Sequence, residues 1–112
     1  MKEIKAYVHR NRVADVVTAL KASQAWGAGK TGRRHNLTLY MVKVSLLPLD
    51  AAERHYSVDL GDEVVNEYKL ELHCNDVDVD ELVAAIAGAA HTGQPGAGWI
   101  YVTDIVRTEV IQ

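Results

Sequence analysis

Hydrophobic and polar positions along the chain switch between a period of two and a period near 3.6, and the switches mark out strands and helices in turn. Ile4, Ala6 and Val8 alternate with Lys5, Tyr7 and His9, the pattern of a strand with one dry and one wet face. Val13, Val16, Val17 and Leu20 then recur at helical spacing behind Asn11, a residue type suited to capping a helix start. Gln24 to His35 (QAWGAGKTGRRH) has no sustained period and reads as a loop. Leu37 to Leu47 is aliphatic and β-branched and stops at Pro48, which lacks the N–H that a sheet ladder needs. A polar, mixed segment of about 48–66 follows, too long for a tight hairpin. Lys69, Glu71 and His73 alternate with Leu70, Leu72 and Cys74, predicting a third strand. Asp78 with Glu81 resembles a capping box for a helix carrying Val79, Leu82, Val83 and Ile86 to about Ala90. The glycine-rich turn Thr92 to Gly98 leads into a last strand, Trp99 to Arg107.

This order is β-α-β-β-α-β. Right-handed crossovers and a hairpin between the inner strands turn it into a ferredoxin-like α+β fold, a four-stranded antiparallel sheet with two helices on one face. The other face is then bare, and Tyr7, Tyr40, Trp99 and Tyr101 are large side chains to leave in water, so the pattern predicts self-association over that face.

Composition narrows the function without naming it. A chain of 112 residues, 48% hydrophobic, suits a single domain over 1–112. A net charge of -3 gives no basic field for nucleic acid. No signal-peptide pattern or membrane-length apolar run is present, which predicts a cytoplasmic protein with no membrane insertion. The one cysteine, Cys74, falls at an apolar strand position and reads as core.

Thr92-Gly93-Gln94-Pro95-Gly96-Ala97-Gly98-Trp99-Ile100-Tyr101-Val102 resembles the "TG-x-x-G-x-G-K-I-F-V" loop and strand of the PII signalling proteins. The opening MKEIKAYVHRNRVADVVTAL is similar to the first strand and helix of that family, and the segment from about Thr38 to Thr92 lies on its pattern without a gap. Gly27 to Arg34 is an insertion against it. The resemblance implies a homotrimer with adenine nucleotides in clefts between subunits, and a long T-loop-like segment at about 48–66 that engages a protein target. It also implies a regulator and not an enzyme. Trp99 replaces the lysine that closes the family's glycine loop, and Glu109, Val110 and Gln112 stand where the family has phosphate-binding arginines. Lost phosphate-binding charge favours AMP or ADP over ATP. In this the chain looks like divergent members that respond to bicarbonate and are associated with carboxysomes or bicarbonate transporters, which would make the target a transporter or a carboxysome-related enzyme.

The glycines at 93, 96 and 98 suit an anion-binding turn, because backbone without a Cβ can aim several N–H groups at one point, and Ala97 and Trp99 belong to the same turn. By the resemblance, Thr38 falls where a hydroxyl meets the adenine, and Tyr7 and His73 fall on cleft-lining positions. Lys43 and Arg107 are the cations nearest in sequence to those elements, and a guanidinium can grip phosphate in a bidentate way. Gly27 to Thr31 imitates the end of a Walker loop, but Gln24 holds the place of its first glycine. Lys30, Arg33 and Arg34 remain as a basic cluster for an anion or a partner. The five histidines show no HExxH or close ligand spacing, and Asp59, Asp62 and Glu63 read as a solvated cluster of the long segment. The alternative is a similar trimer binding a divalent metal, as in the CutA proteins, with His55 as a ligand.

Overall fold

A computed structural model of the chain describes residues 1–26, 36–44, 55–57 and 62–112. Within them lie strands β1 (Lys2–Val8), β2 (Thr38–Val44), β3 (His55–Ser57), β4 (Asp62–Cys74) and β5 (Trp99–Asp104), and helices α1 (Val13–Ala22) and α2 (Val79–Ala90). The sheet is antiparallel in the order β2-β4-β1-β5, with β3 added against β4. Apart from that short addition this is the ferredoxin-like arrangement expected from the hydrophobic pattern.

Alternation in β1 and β4 places Ile4, Ala6, Val8, Leu70, Leu72 and Cys74 on one sheet face, all at most 8% exposed. Against them pack Val16 and Leu20 of α1 and Leu82 and Ile86 of α2, all fully buried, with Trp26 closing one end. Each helix therefore buries one stripe at spacing of four, and the two stripes share one core. None of the helices among the described residues is long and apolar enough to cross a membrane.

Polar contacts secure the connections around this core. Glu81 Oε2 accepts hydrogen bonds from Ser23 Oγ (2.6 Å) and the Ala25 N–H (2.7 Å), tying the exit of α1 to the first turn of α2. The Trp26 indole N–H donates to Asn36 Oδ1 (2.9 Å), and Asn36 Nδ2 donates to the His73 carbonyl (3.0 Å), which ties Trp26 through Asn36 to β4. At the far end of β1, His9 and Glu67 are both buried. Glu67 Oε2 accepts the Arg10 N–H (2.6 Å), and His9 Nδ1 accepts the Asn11 N–H (3.1 Å). An imidazole that accepts at Nδ1 keeps its proton at Nε2, which here faces Glu67 Oε1 at 3.6 Å.

Several local expectations are corrected. The N-cap of α1 is Arg12, not Asn11, and no side chain caps it, because Asn11 lies inside the tight turn that links His9 to Arg12. The Asp78–Glu81 capping box does not form, since the Glu81 carboxylate is drawn to Ser23 and Ala25 across the molecule. The third strand begins at Asp62, well before Lys69, and pairs His55↔Val64, Tyr56↔Glu63 and Ser57↔Asp62. Part of the long polar segment is therefore a hairpin: cross-strand pairing satisfies backbone groups that its mixed side-chain pattern did not reveal. The last strand ends at Asp104, the final register partner of β1, beyond which the Ile105 N–H donates to the Met1 carbonyl and the Thr108 hydroxyl to the Met1 sulfur. The Gly27–Arg34 insertion with its basic cluster, the stretch after Val44, and Asp59 lie outside the described residues.

Candidate functional site

Where α2 ends, the chain must turn back sharply to start β5 beside β1. Gly93 (φ 81°) and Gly96 (φ 73°) take the left-handed backbone that the turn demands. Thr92 Oγ1 accepts the Gln94 N–H at 3.2 Å, bracing the first bend. Gly98 answers a different need: a Cβ there would stand 2.6 Å from the Tyr7 carbonyl oxygen, so only glycine lets the two backbones approach this closely.

The turn roofs a cavity of about 330 Å³, within the range of small-ligand pockets. β1 contributes Tyr7 and Val8, β5 contributes Trp99 and Ile100, and the last turn of α2 contributes Ala87 and Ala90. The rest of the lining is His91, Thr92, Gln94, Gly96, Ala97 and Gly98. Two features mark it as more than a gap. The amide oxygen of Gln94 is buried without a hydrogen-bond partner, and an orphaned acceptor of this kind is rare in a folded chain. Trp99 is 53% exposed at its rim, a large apolar surface left in water.

Tyr7 connects the cavity to the uncovered sheet face. Cross-strand register puts Tyr40, Lys69, Tyr7 and Trp99 in one row, and Thr38, Glu71, Lys5 and Tyr101 in the next. The aromatics predicted for the bare face thus do share it. Tyr7 and Tyr101 meet edge to face at 6.3 Å, and Lys69 Nζ lies over both the Tyr7 and Tyr40 rings, at 5.5 and 5.2 Å from their centroids. The Tyr40 hydroxyl donates to Glu71 Oε1 at 2.7 Å, and Lys69 Nζ lies 3.1 Å from the same oxygen. Tyr40 first, and then Glu71, hold the Lys69 ammonium well above the usual lysine range. Tyr40 first, and then Lys69, hold Glu71 below the ordinary carboxylate value.

Of the residues singled out from sequence, one chain gathers Tyr7, Gly96, Ala97, Gly98 and Trp99 around the cavity, with Gly93 shaping its turn. It does not bring the others there. Thr38 is exposed on β2 opposite Glu71, and Lys43 is exposed farther along the same strand. His73 lines a separate cavity of about 80 Å³ with Trp26, Asn36 and Cys74. Burial pushes the Cys74 thiol up, away from the reactive thiolate. Arg107 lies in the exposed tail, paired with Glu109.

Sequence reasoning missed Val8, Ala87, Ala90, His91, Thr92, Gln94 and Ile100. The i, i+3 spacing of the two alanines just before the glycine turn was the available signal, since small residues there leave room beneath it. Chemically, the turn offers backbone N–H groups and neutral side chains, a setting for a compact anionic or hydrogen-bonding group, with the apolar walls left for a flat ring. Among the described residues no group of three His, Cys, Asp or Glu is placed to hold a metal ion.

Comparison with known proteins agrees with this architecture. The family model for "Nitrogen regulatory protein P-II" matches residues 1–112. Nitrogen regulatory protein P-II 2 of Methanothermobacter thermautotrophicus is 29% identical over 105 residues, spanning 94% of this chain and 84% of that protein. Nitrogen regulatory protein P-II 1 of the same organism is 27% identical over 106 residues, spanning 95% of this chain and 84% of its own length.

Proposed function

The chain belongs to the nitrogen regulatory protein P-II family of signalling proteins, and from that premise we propose that it senses an adenine nucleotide, AMP or ADP in preference to ATP. The observation that carries this reading is the cavity beneath the glycine turn. Its backbone donors suit a phosphate, its apolar walls suit a base, and the orphaned Gln94 oxygen calls for a ligand N–H or O–H. Few permanent cations argue for few phosphates: within one chain no Lys or Arg stands among the described residues that line the cavity, so a triphosphate has the least to gain.

The cleft is completed by a second copy of the chain in a homotrimer, which covers the aromatic sheet face and presents Thr38, Lys43, His73 and Arg107 to the ligand. Occupancy then biases the order of the long segment at 48–66, which engages a protein target, a transporter or enzyme of inorganic-carbon metabolism, with bicarbonate as a co-ligand. The protein acts by binding rather than by turnover.

Isothermal calorimetry with AMP, ADP and ATP, each with and without bicarbonate, tests the reading. Saturable heat from AMP and ADP and a weaker response to ATP are expected. Silence from all three nucleotides, in both buffers, rejects it.

A further inference from the structure

Among the described side chains of one chain that line the cavity, His91 alone can carry a positive charge. It occupies the C-cap of α2, at the carbonyl end of the helix, where a cation is stabilised. No basic residue occupies the last turn of that helix to compete with it. The ring is exposed and makes no hydrogen bond or ion pair with any described residue, so its nitrogens are free to meet a ligand.

Within one chain, the described elements around the cavity offer no substitute. From β1 the titratable lining group is Tyr7, and the Lys69 ammonium behind it on β4 is already held by Tyr40 and Glu71. β5 lines the cavity with Trp99 and Ile100, and the turn lines it with Thr92, Gln94 and small residues, none of which titrates. Arg107 is matched by Glu109 in the exposed tail.

We propose that His91 is the residue that holds the anionic group of the ligand, so that binding takes up a proton and weakens as pH rises. This rests on the nucleotide reading above and adds the charge-bearing residue and its regulation. The physical reason is that imidazole ordinarily changes charge between pH 5 and 8, while the backbone donors of the turn do not titrate. The sign is diagnostic. A phosphate monoester gains its second negative charge near pH 6, so a site built on a permanent cation such as Lys43 or Arg107 binds it more tightly as pH rises. A site built on His91 does the reverse.

The experiment is AMP calorimetry from pH 6 to pH 8.5 on the full chain, unaltered and as His91→Gln and His91→Lys, in buffer pairs of different ionisation heat to count protons. The unaltered chain is expected to lose affinity on the order of tenfold across this range and to take up a proton on binding. His91→Gln should bind weakly at every pH without that decline. His91→Lys should restore binding and also remove the decline. AMP bound with a flat or rising profile, or a decline that survives His91→Gln, overturns the proposal and leaves the nucleotide reading standing. If neither AMP nor ADP binds at any pH, both fall together.

Discussion

Gly98 and Gly88 show how the same residue type carries opposite consequences at two positions. A methyl at 98 would collide with the Tyr7 carbonyl, while a methyl at 88, on the exposed side of α2, would meet nothing within 4 Å. Gly98→Ala must therefore push β5 from β1 and is expected to cost about 2 kcal/mol or more, as overpacking against backbone does. Gly88→Ala should stabilise by about 0.5–1 kcal/mol, because alanine loses less backbone freedom in a helix. Paired thermal melts check both, and a neutral Gly98→Ala would mean that the turn does not press on Tyr7. The requirement for glycine at 98 could be suspected from sequence, but not its cause, since the carbonyl it avoids belongs to a residue at the opposite end of the chain.

At the scale of elements, the helices and the inner strands were legible because each buries one regular stripe. Their ends were not, because ends are settled by partners distant in sequence. Glu81 is the clearest case. It reads as half of a capping box, yet its carboxylate joins the exit of α1 to the entry of α2. The Ser23 hydroxyl first, then the Ala25 N–H, favour its charged form and hold its pKa below the ordinary 4.5. A lowered carboxylate stabilises the fold above its unfolded-state value and loses that contribution as pH falls through the folded-state one. Glu81→Gln should thus melt below the unaltered chain at pH 7, and the gap should close as pH drops below the ordinary glutamate range and through the lowered folded-state value. A gap that persists unchanged in acid would assign the effect to packing. The β3–β4 hairpin escaped prediction for a related reason: strand pairing is a bargain between two backbones, and only one side showed a recognisable pattern.

For the whole molecule, the decisive feature is the row of Tyr40, Lys69, Tyr7 and Trp99 across an uncovered sheet, with Tyr101 in the next row. Tyr101 is 52% exposed, and so much aromatic surface on one face is costly for an isolated chain. Analytical ultracentrifugation is expected to find three times the 12.3 kDa of one chain, and Tyr101→Glu to shift the population towards monomer by placing a charge on the face that the proposed trimer covers. A monomer at every concentration of the unaltered protein would remove the shared cleft, and with it the route by which Thr38, Lys43, His73 and Arg107 reach the ligand.

Sequence by itself determined the βαββαβ order, the core stripes and the family, because periodicity and the glycine turn are local properties of consecutive residues. It also placed Tyr7, Gly96, Ala97, Gly98 and Trp99 at the candidate site, since most of them share that one turn. Only the tertiary structure brought Ala87 and Ala90 of α2 against Tyr7 and Val8 of β1 beneath that turn, sent His73 to a different cavity and drew the Glu81 carboxylate away from its own helix start. Those outcomes depend on which distant groups come within hydrogen-bonding or van der Waals reach once the chain closes on itself, and the spacing of residues along the chain does not encode that distance.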